Sequence, residues 1–145
     1  MLSRYTVLPW ENADAADTSV LVRAAVMDER AQSAIAAKAL LEAEVVAVTL
    51  ASLCEFVWVL TRGYNRSAAE VAAAVRTLVE GASVLVDRPA VAAGLAVLEK
   101  GGDFADGVIA FEGRRAGGRV FATFDKEATA VIRATGGEAR LLGEN

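Results

Sequence analysis

Short apolar runs alternate with longer helical patterns along the chain. Runs of four or five residues rich in β-branched side chains are typical of buried strands, and segments of ten or more good helix formers separate them. The predicted strands are a short one ending at Asp17, then 45–48, 83–86, 119–123 and 139–142. The predicted helices are one from about Val20, then 31–43, 49–61, 68–80, 87–100, one from Asp103 to about 116, and 126–134. This alternation predicts an α/β fold, a three-layer α/β/α sandwich with a central, mostly parallel sheet.

Capping signals support several of these boundaries. Ser67 and Glu70 have the capping-box spacing, and Thr49 can cap the helix that follows it. Thr18 or Ser19 can cap the first helix. Residues 1–12 show no clear periodicity and are interpreted as an N-terminal extension, so residues 13–145 form one predicted domain.

The helix at 49–61 carries one carboxylate, Glu55, among apolar side chains that include Leu53, Val57 and Trp58. Apolar residues cover most of its circumference, which predicts burial on nearly all sides. A buried carboxylate costs several kcal/mol unless it is paired, hydrogen-bonded, protonated or bound to a metal. Pairing with an arginine and binding to a metal both remain open at this point.

Composition narrows the function. The 145 residues include 54% apolar residues, but no run approaches the roughly 20 needed to cross a bilayer. The start of the chain has no apolar segment typical of an export signal, and the single cysteine, Cys54, suits a reducing compartment. We therefore expect a cytoplasmic protein without a membrane partner. The net charge of −4 disfavours nucleic-acid binding through bulk electrostatics, so any such contact needs a local cationic rim or a metal.

Acidic residues recur just beyond predicted strands or in the first turn of predicted helices. They are Asp17, Asp103, Asp106 and Asp125, and Glu55 can reach the same edge of the sheet. Helix capping explains Asp103 with Asp106, and also Asp125, and Asp17 can be an ordinary turn residue, but their coincidence favours a shared crevice. Gathered carboxylates repel one another, and a divalent cation removes that conflict. Oxygen ligands without histidine select Mg²⁺ or Mn²⁺.

These motifs resemble, in order and spacing, those of PIN-domain ribonucleases of the VapC type, the toxins of bacterial toxin–antitoxin pairs. The similarity covers about residues 13–142. Four motifs carry it: residues 17–23, Glu55 in its apolar helix, residues 103–106 and residues 123–125. Two features depart from the family pattern. The residues before Asp17 are weakly strand-forming, and Ser19 stands where the family usually has Asn.

The resemblance implies a Mg²⁺- or Mn²⁺-dependent endoribonuclease that forms a homodimer and is inhibited by a cognate antitoxin protein inserted into the acidic groove. The family's catalytic acids correspond to Asp17, Glu55, Asp106 and Asp125, with Asp103 an additional acid. Ser19 and Thr123 correspond to supporting hydroxyl positions.

Our hypothesis is that Asp17, Asp106 and Asp125 hold one metal ion, while Glu55 and Asp103 shape the site or bind a second. The candidate RNA contacts are Arg23, Arg62 and Arg66. The alternative is that these side chains belong to an ordinary solvated charged face. The alternative is a catalytically inactive PIN-like module that acts by partner binding. A Mg²⁺ phosphohydrolase is a third possibility, but Lys100 and Lys126 have no persuasive spacing for it.

Overall fold

The structure is a computed structural model that describes residues 13–143. The predicted N-terminal extension lies outside the described residues. The strands are β1 (Ala13–Ala15), β2 (Val45–Ala47), β3 (Val84–Leu85), β4 (Val120–Thr123) and β5 (Glu138–Leu141). The helices are α1 (Thr18–Ala25), α2 (Arg30–Glu42), α3 (Leu50–Trp58), α4 (Ala68–Val79), α5 (Arg88–Glu99), α6 (Phe104–Arg115) and α7 (Lys126–Ala134). A π-helical turn, Val59–Gly63, extends α3.

All strand pairs are parallel, as the alternating pattern predicts. The strands pair in the order β1-β2-β3, and β4 pairs with β5. Ala15 is opposite Ala47, which is opposite Leu85, so β1, β2 and β3 end at the same edge. The sequence predicts one central sheet. Among residues 13–143 the strands form two separately hydrogen-bonded groups, β1-β2-β3 and β4-β5, so the prediction differs in this detail. Strand β1 has the sequence Ala-Asp-Ala, a composition that forms strands weakly.

The core lies between the β1-β2-β3 sheet and the helices that pack against it. Its largest fully buried side chains include Phe56 of α3, Phe104 of α6 and Leu21 of α1. Helices α5 and α6 approach closely because glycines meet at their contact: a methyl group added at Gly107 would come within 2.8 Å of the Gly94 Cα. The first turn of α6 is therefore held in a fixed position against α5.

Local capping signals set several helix starts. Helix α4 begins with the predicted capping box, in which the Ser67 and Glu70 side chains each accept from the other's backbone N–H. Thr49 caps α3 as predicted. The predicted cap of α1 is wrong, because Asp17 and not Thr18 or Ser19 is its N-cap residue. No helix among the described residues is long and apolar enough to cross a membrane.

Candidate active site

Two carboxylates lie at the start of α6. Asp103 is the N-cap residue, and its Oδ1 accepts from the Ala105 backbone N–H at 3.1 Å. Asp106 follows in the first turn of the same helix and is partly buried. Asp103 lies in the connection between α5 and α6, and Asp106 lies in α6 itself, so neither follows a strand directly. Capping by Asp103 uses one carboxylate oxygen and leaves the other available.

The third carboxylate, Asp125, lies two residues after the end of β4. Its Oδ1 accepts from the backbone N–H groups of Glu127 at 2.9 Å and Ala128 at 3.1 Å, which caps α7. The Thr123 hydroxyl oxygen accepts from the Asp125 backbone N–H at 3.0 Å. The end of β4 and the start of α7 therefore fix this carboxylate, and its second oxygen is not used for capping.

Asp103, Asp106 and Asp125 line one crevice of about 370 Å³. Its walls come from the end of α3 and its π-turn, the α5–α6 connection, and the first turns of α6 and α7. The lining includes Trp58, Thr61, Arg62 and Glu127 in addition to the three aspartates. Residues far apart in the chain thus meet at one acidic cleft.

The electrostatics of the crevice centre on Asp106. Burial raises the pKa of its carboxyl above the ordinary value, and the negative charges of Asp103 and Asp125 raise it further. Raised acid pKa values of this origin are typical of functional clefts. A cation placed among these side chains would relieve the repulsion.

Asp17 and Glu55 form a second acidic group, joined through Thr18. The Thr18 hydroxyl donates to Glu55 Oε2 at 3.0 Å. The Ser19 hydroxyl donates to Asp17 Oδ2 at 2.7 Å, and this bond, together with the Ser19 backbone N–H, lowers the pKa of the Asp17 carboxyl. Ser19, which stands where the family has Asn, therefore still supports the first aspartate. Neither Asp17 nor Glu55 is among the residues that line the crevice.

The prediction that Glu55 is buried is wrong. Its side chain is exposed, as is that of Trp58, which is 64% exposed. Leu53, Phe56 and Leu60 form the buried side of this helix. Glu55 therefore needs no metal to justify its charge, and its place in the site depends on its position near Asp17.

The donor chemistry of the crevice suits a hard divalent cation, since every candidate ligand is a carboxylate oxygen. Within residues 13–143, no group of three or more Asp, Glu, Cys or His side chains is close enough to hold a metal. Mg²⁺ in proteins is commonly held by one or two carboxylates, with water and substrate phosphate completing the shell. The crevice therefore fits a hydrated ion held by one or two carboxylates and does not fit a closed protein cage.

The three candidate RNA-contact arginines differ in their surroundings. Arg62 lines the crevice and makes no ion pair within the described part of the chain. Arg23 bonds Asp28 at 3.1 Å, and Arg66 lies 3.7 Å from Glu70. Arg62 is thus the candidate best placed to meet a phosphate at the acidic cleft.

Sequence reasoning did not assign three residues that line the crevice: Trp58, Thr61 and Glu127. Glu127 had a usable signal, because it lies two residues after Asp125 in the first turn of α7. Thr61 had none, since the π-helical turn in which it lies has no simple sequence pattern. Trp58 had none, since the apolar sequence of α3 does not indicate which side faces solvent. Trp58 instead counted as part of the apolar helix face.

A parallel α/β fold with an acidic, carboxylate-lined cleft beside helix N-termini defines a class of proteins suited to binding divalent cations and phosphates. Comparison with known families places the chain within that class. It belongs to the PIN domain family, whose model matches residues 15–133. PIN domains are generally metal-dependent nucleases that act on nucleic acids. No curated protein matches the chain.

Proposed function

We propose that the protein is a Mg²⁺- or Mn²⁺-dependent endoribonuclease that serves as the toxin of a VapC-type toxin–antitoxin pair. The observation that carries this proposal is the meeting of Asp103, Asp106 and Asp125 with Arg62 in one crevice of a PIN-family chain. The raised pKa of Asp106 supports it, because the cleft holds more negative charge than it can neutralise alone.

In this proposal Asp106 and Asp125 would hold the ion, and Asp103 would contribute negative charge beside them. Asp17 and Glu55 shape the flank of the site, with Ser19 and Thr18 fixing their orientation. When bound, a divalent ion supplies a charge that activates water and offsets charge on the phosphate. Arg62 binds a phosphate oxygen and orients the strand, while Thr123 and the N-terminus of α7 keep Asp125 rigid.

The partner proposals depend on the order and spacing of the acidic motifs. We propose that a cognate antitoxin inserts a segment into the crevice and that the protein works as a cytoplasmic homodimer. The test of the first is co-purification with the product of a neighbouring small reading frame, followed by loss of cleavage in the complex. The test of the second is analytical ultracentrifugation of the full chain.

Nuclease activity is tested by incubating total RNA with the full-length protein and Mg²⁺, with and without EDTA. Wild-type protein is expected to cleave only when Mg²⁺ is free, and Asp106→Asn is expected not to cleave. Asp14→Asn is the matched control, since Asp14 is an exposed carboxylate of β1 that does not line the crevice. Wild-type cleavage rates in Asp106→Asn would refute the assignment.

One observation favours the alternative of an inactive module that binds a partner. No three acidic side chains among residues 13–143 are close enough to enclose a metal. An inactive module would show no thermal stabilisation by Mg²⁺, whereas a ligand bound to the native state adds RT ln(1 + [L]/Kd) to the free energy of unfolding and so raises the melting temperature. A Mg²⁺ titration followed by thermal unfolding therefore separates the two functions.

A further inference from the structure

Trp58 presents an exposed aromatic surface. It is the last residue of α3 and is 64% exposed, while Phe56 and Val57 before it are buried. An indole bearing most of its surface to water forgoes the favourable free energy that burial would supply. A ligand that covers the indole would recover part of that free energy.

Trp58 also lines the acidic crevice, where its surroundings are polar. Arg62 lies four residues later, on the π-turn closed by the Tyr64 N–H to Val59 carbonyl bond at 3.2 Å. The indole, the Arg62 guanidinium and the carboxylates of Asp103 and Asp106 therefore line the same crevice. An aromatic surface and a cation are thus offered to the same ligand.

We propose that Trp58 is a stacking platform for one unpaired base of an RNA strand whose phosphate enters the crevice. The inference rests on the proposed nuclease function and adds a residue that positions the substrate. Stacking on an aromatic side chain requires a base free of its helical neighbours, which a duplex does not offer. Because every base has a π-face, Trp58 contributes affinity for single strands without choosing a sequence.

A second copy of this chain is the main competing occupant. A symmetric contact centred on Trp58 would bring two sets of carboxylates together, because Asp103, Asp106 and Glu127 line the same crevice. Like charges placed opposite each other disfavour such an interface. A nucleobase is flat and uncharged, and the adjacent Arg62 can take the attached phosphate, so the surroundings favour RNA.

The test uses full-length Asp106→Asn protein to prevent cleavage, with Trp10→Phe added. The sequence has two tryptophans, so Trp58 is then the sole indole reporter. The probes are a short single-stranded oligoribonucleotide of mixed sequence and the same strand annealed to its complement, each with Mg²⁺. Saturable quenching of Trp58 fluorescence is expected with the single strand and not with the duplex.

Affinities for the single strand are then measured by fluorescence anisotropy of labelled RNA in the Asp106→Asn background. Trp58→Ala is expected to lose roughly 5- to 100-fold in affinity, and Trp58→Phe is expected to keep most of it. Leu41→Ala is the matched control, because Leu41 is 85% exposed on α2 and does not line the crevice. That variant is expected to bind as its parent does.

Unchanged single-strand affinity in Trp58→Ala would overturn the inference, and so would equal quenching by duplex RNA. Loss of dimerisation in Trp58→Ala with unchanged affinity would assign the residue to a contact between copies and also overturn it. In each of these cases wild-type cleavage would survive and the proposed function would stand. If the wild-type protein neither binds nor cleaves RNA, the proposed function itself fails. If Trp58→Ala does not fold, the quenching measurement still decides.

Discussion

Gly107→Ala tests whether close packing of α5 and α6 holds the aspartates of the crevice in place. A methyl group at Gly107 would come within 2.5 Å of the Ala93 carbonyl oxygen, 2.8 Å of the Gly94 Cα and 2.9 Å of Val97 Cγ2. Two of these three atoms belong to the backbone of α5 and cannot rotate away. The helices must therefore move apart, and Asp106, the preceding residue, moves with α6.

The magnitude is a balance of two effects. Alanine stabilises a helix interior by about 1 kcal/mol relative to glycine. Overpacking in a rigid core costs about 1–3 kcal/mol, and contact with backbone atoms places Gly107 at about 3 kcal/mol. The net loss of about 2 kcal/mol lowers the melting temperature by about 6 °C for a domain of this size.

Gly113→Ala provides the matched control on the same helix. The nearest atom to an added methyl there is the Gly118 carbonyl oxygen, at an ordinary 3.8 Å. Only the helix-propensity gain applies, so the melting temperature should rise by about 2–3 °C. Differential scanning calorimetry measures both shifts, and Mg²⁺-dependent cleavage should fall in Gly107→Ala alone. If both variants gain stability equally, the inferred close contact between the helices does not exist.

Two further predictions concern charge near the crevice. Asp106→Asn should be more stable than wild type without metal. In the folded wild type, the pKa of Asp106 is raised above the ordinary 3.8, so the wild-type protein loses stability as pH rises through that raised value. The stability advantage of the variant should therefore vanish in more acidic buffer. A difference in melting temperature that stays constant across pH would contradict this. Burial, then the charges of Asp103 and Glu112, raise the pKa of the Cys54 thiol to about 11. Iodoacetamide should therefore alkylate Cys54 about 100-fold more slowly than a free cysteine in mildly alkaline buffer, and Asp103→Asn should speed the reaction; equal rates in both proteins would show that Asp103 does not act on the thiol.

Helix boundaries were predictable where the signal was local. The capping box at Ser67 and Glu70 predicted a helix over 68–80, and the structure has Ala68–Val79. Asp103 and Asp125 were predicted both as caps and as site residues, and the capping is confirmed. These signals depend on neighbours within four residues, so a single sequence contains them.

The rotation of α3 about its axis was not predictable. Its sequence is apolar almost throughout, so periodicity did not indicate which side faces solvent. Treating Trp58 as a core residue led to the wrong prediction that Glu55 is buried. The side that packs is set by contacts with α1, α4 and α6, which are tertiary.

The makeup of the crevice was only partly predictable. Asp103, Asp106 and Asp125 were expected to converge, and they line one cleft, whereas Asp17 and Glu55 lie outside its lining. The distance between the two acidic groups depends on how the strands pair. Among residues 13–143, strands β1 and β4 do not hydrogen-bond to each other, and the sequence alone does not predict this.

Each of three acidic N-cap residues, Asp17, Asp103 and Asp125, accepts its backbone hydrogen bonds through a single carboxylate oxygen. Folding and the proposed chemistry therefore depend on the same side chains. Replacement by alanine removes a helix cap worth about 1 kcal/mol along with the charge. An alanine variant without activity in cells therefore reports a lower abundance of folded protein as well as any lost chemistry. Asparagine caps a helix about as well as aspartate. In Asp→Asn variants, a lost phenotype therefore reports on the chemistry of the side chain and not on the abundance of the folded protein.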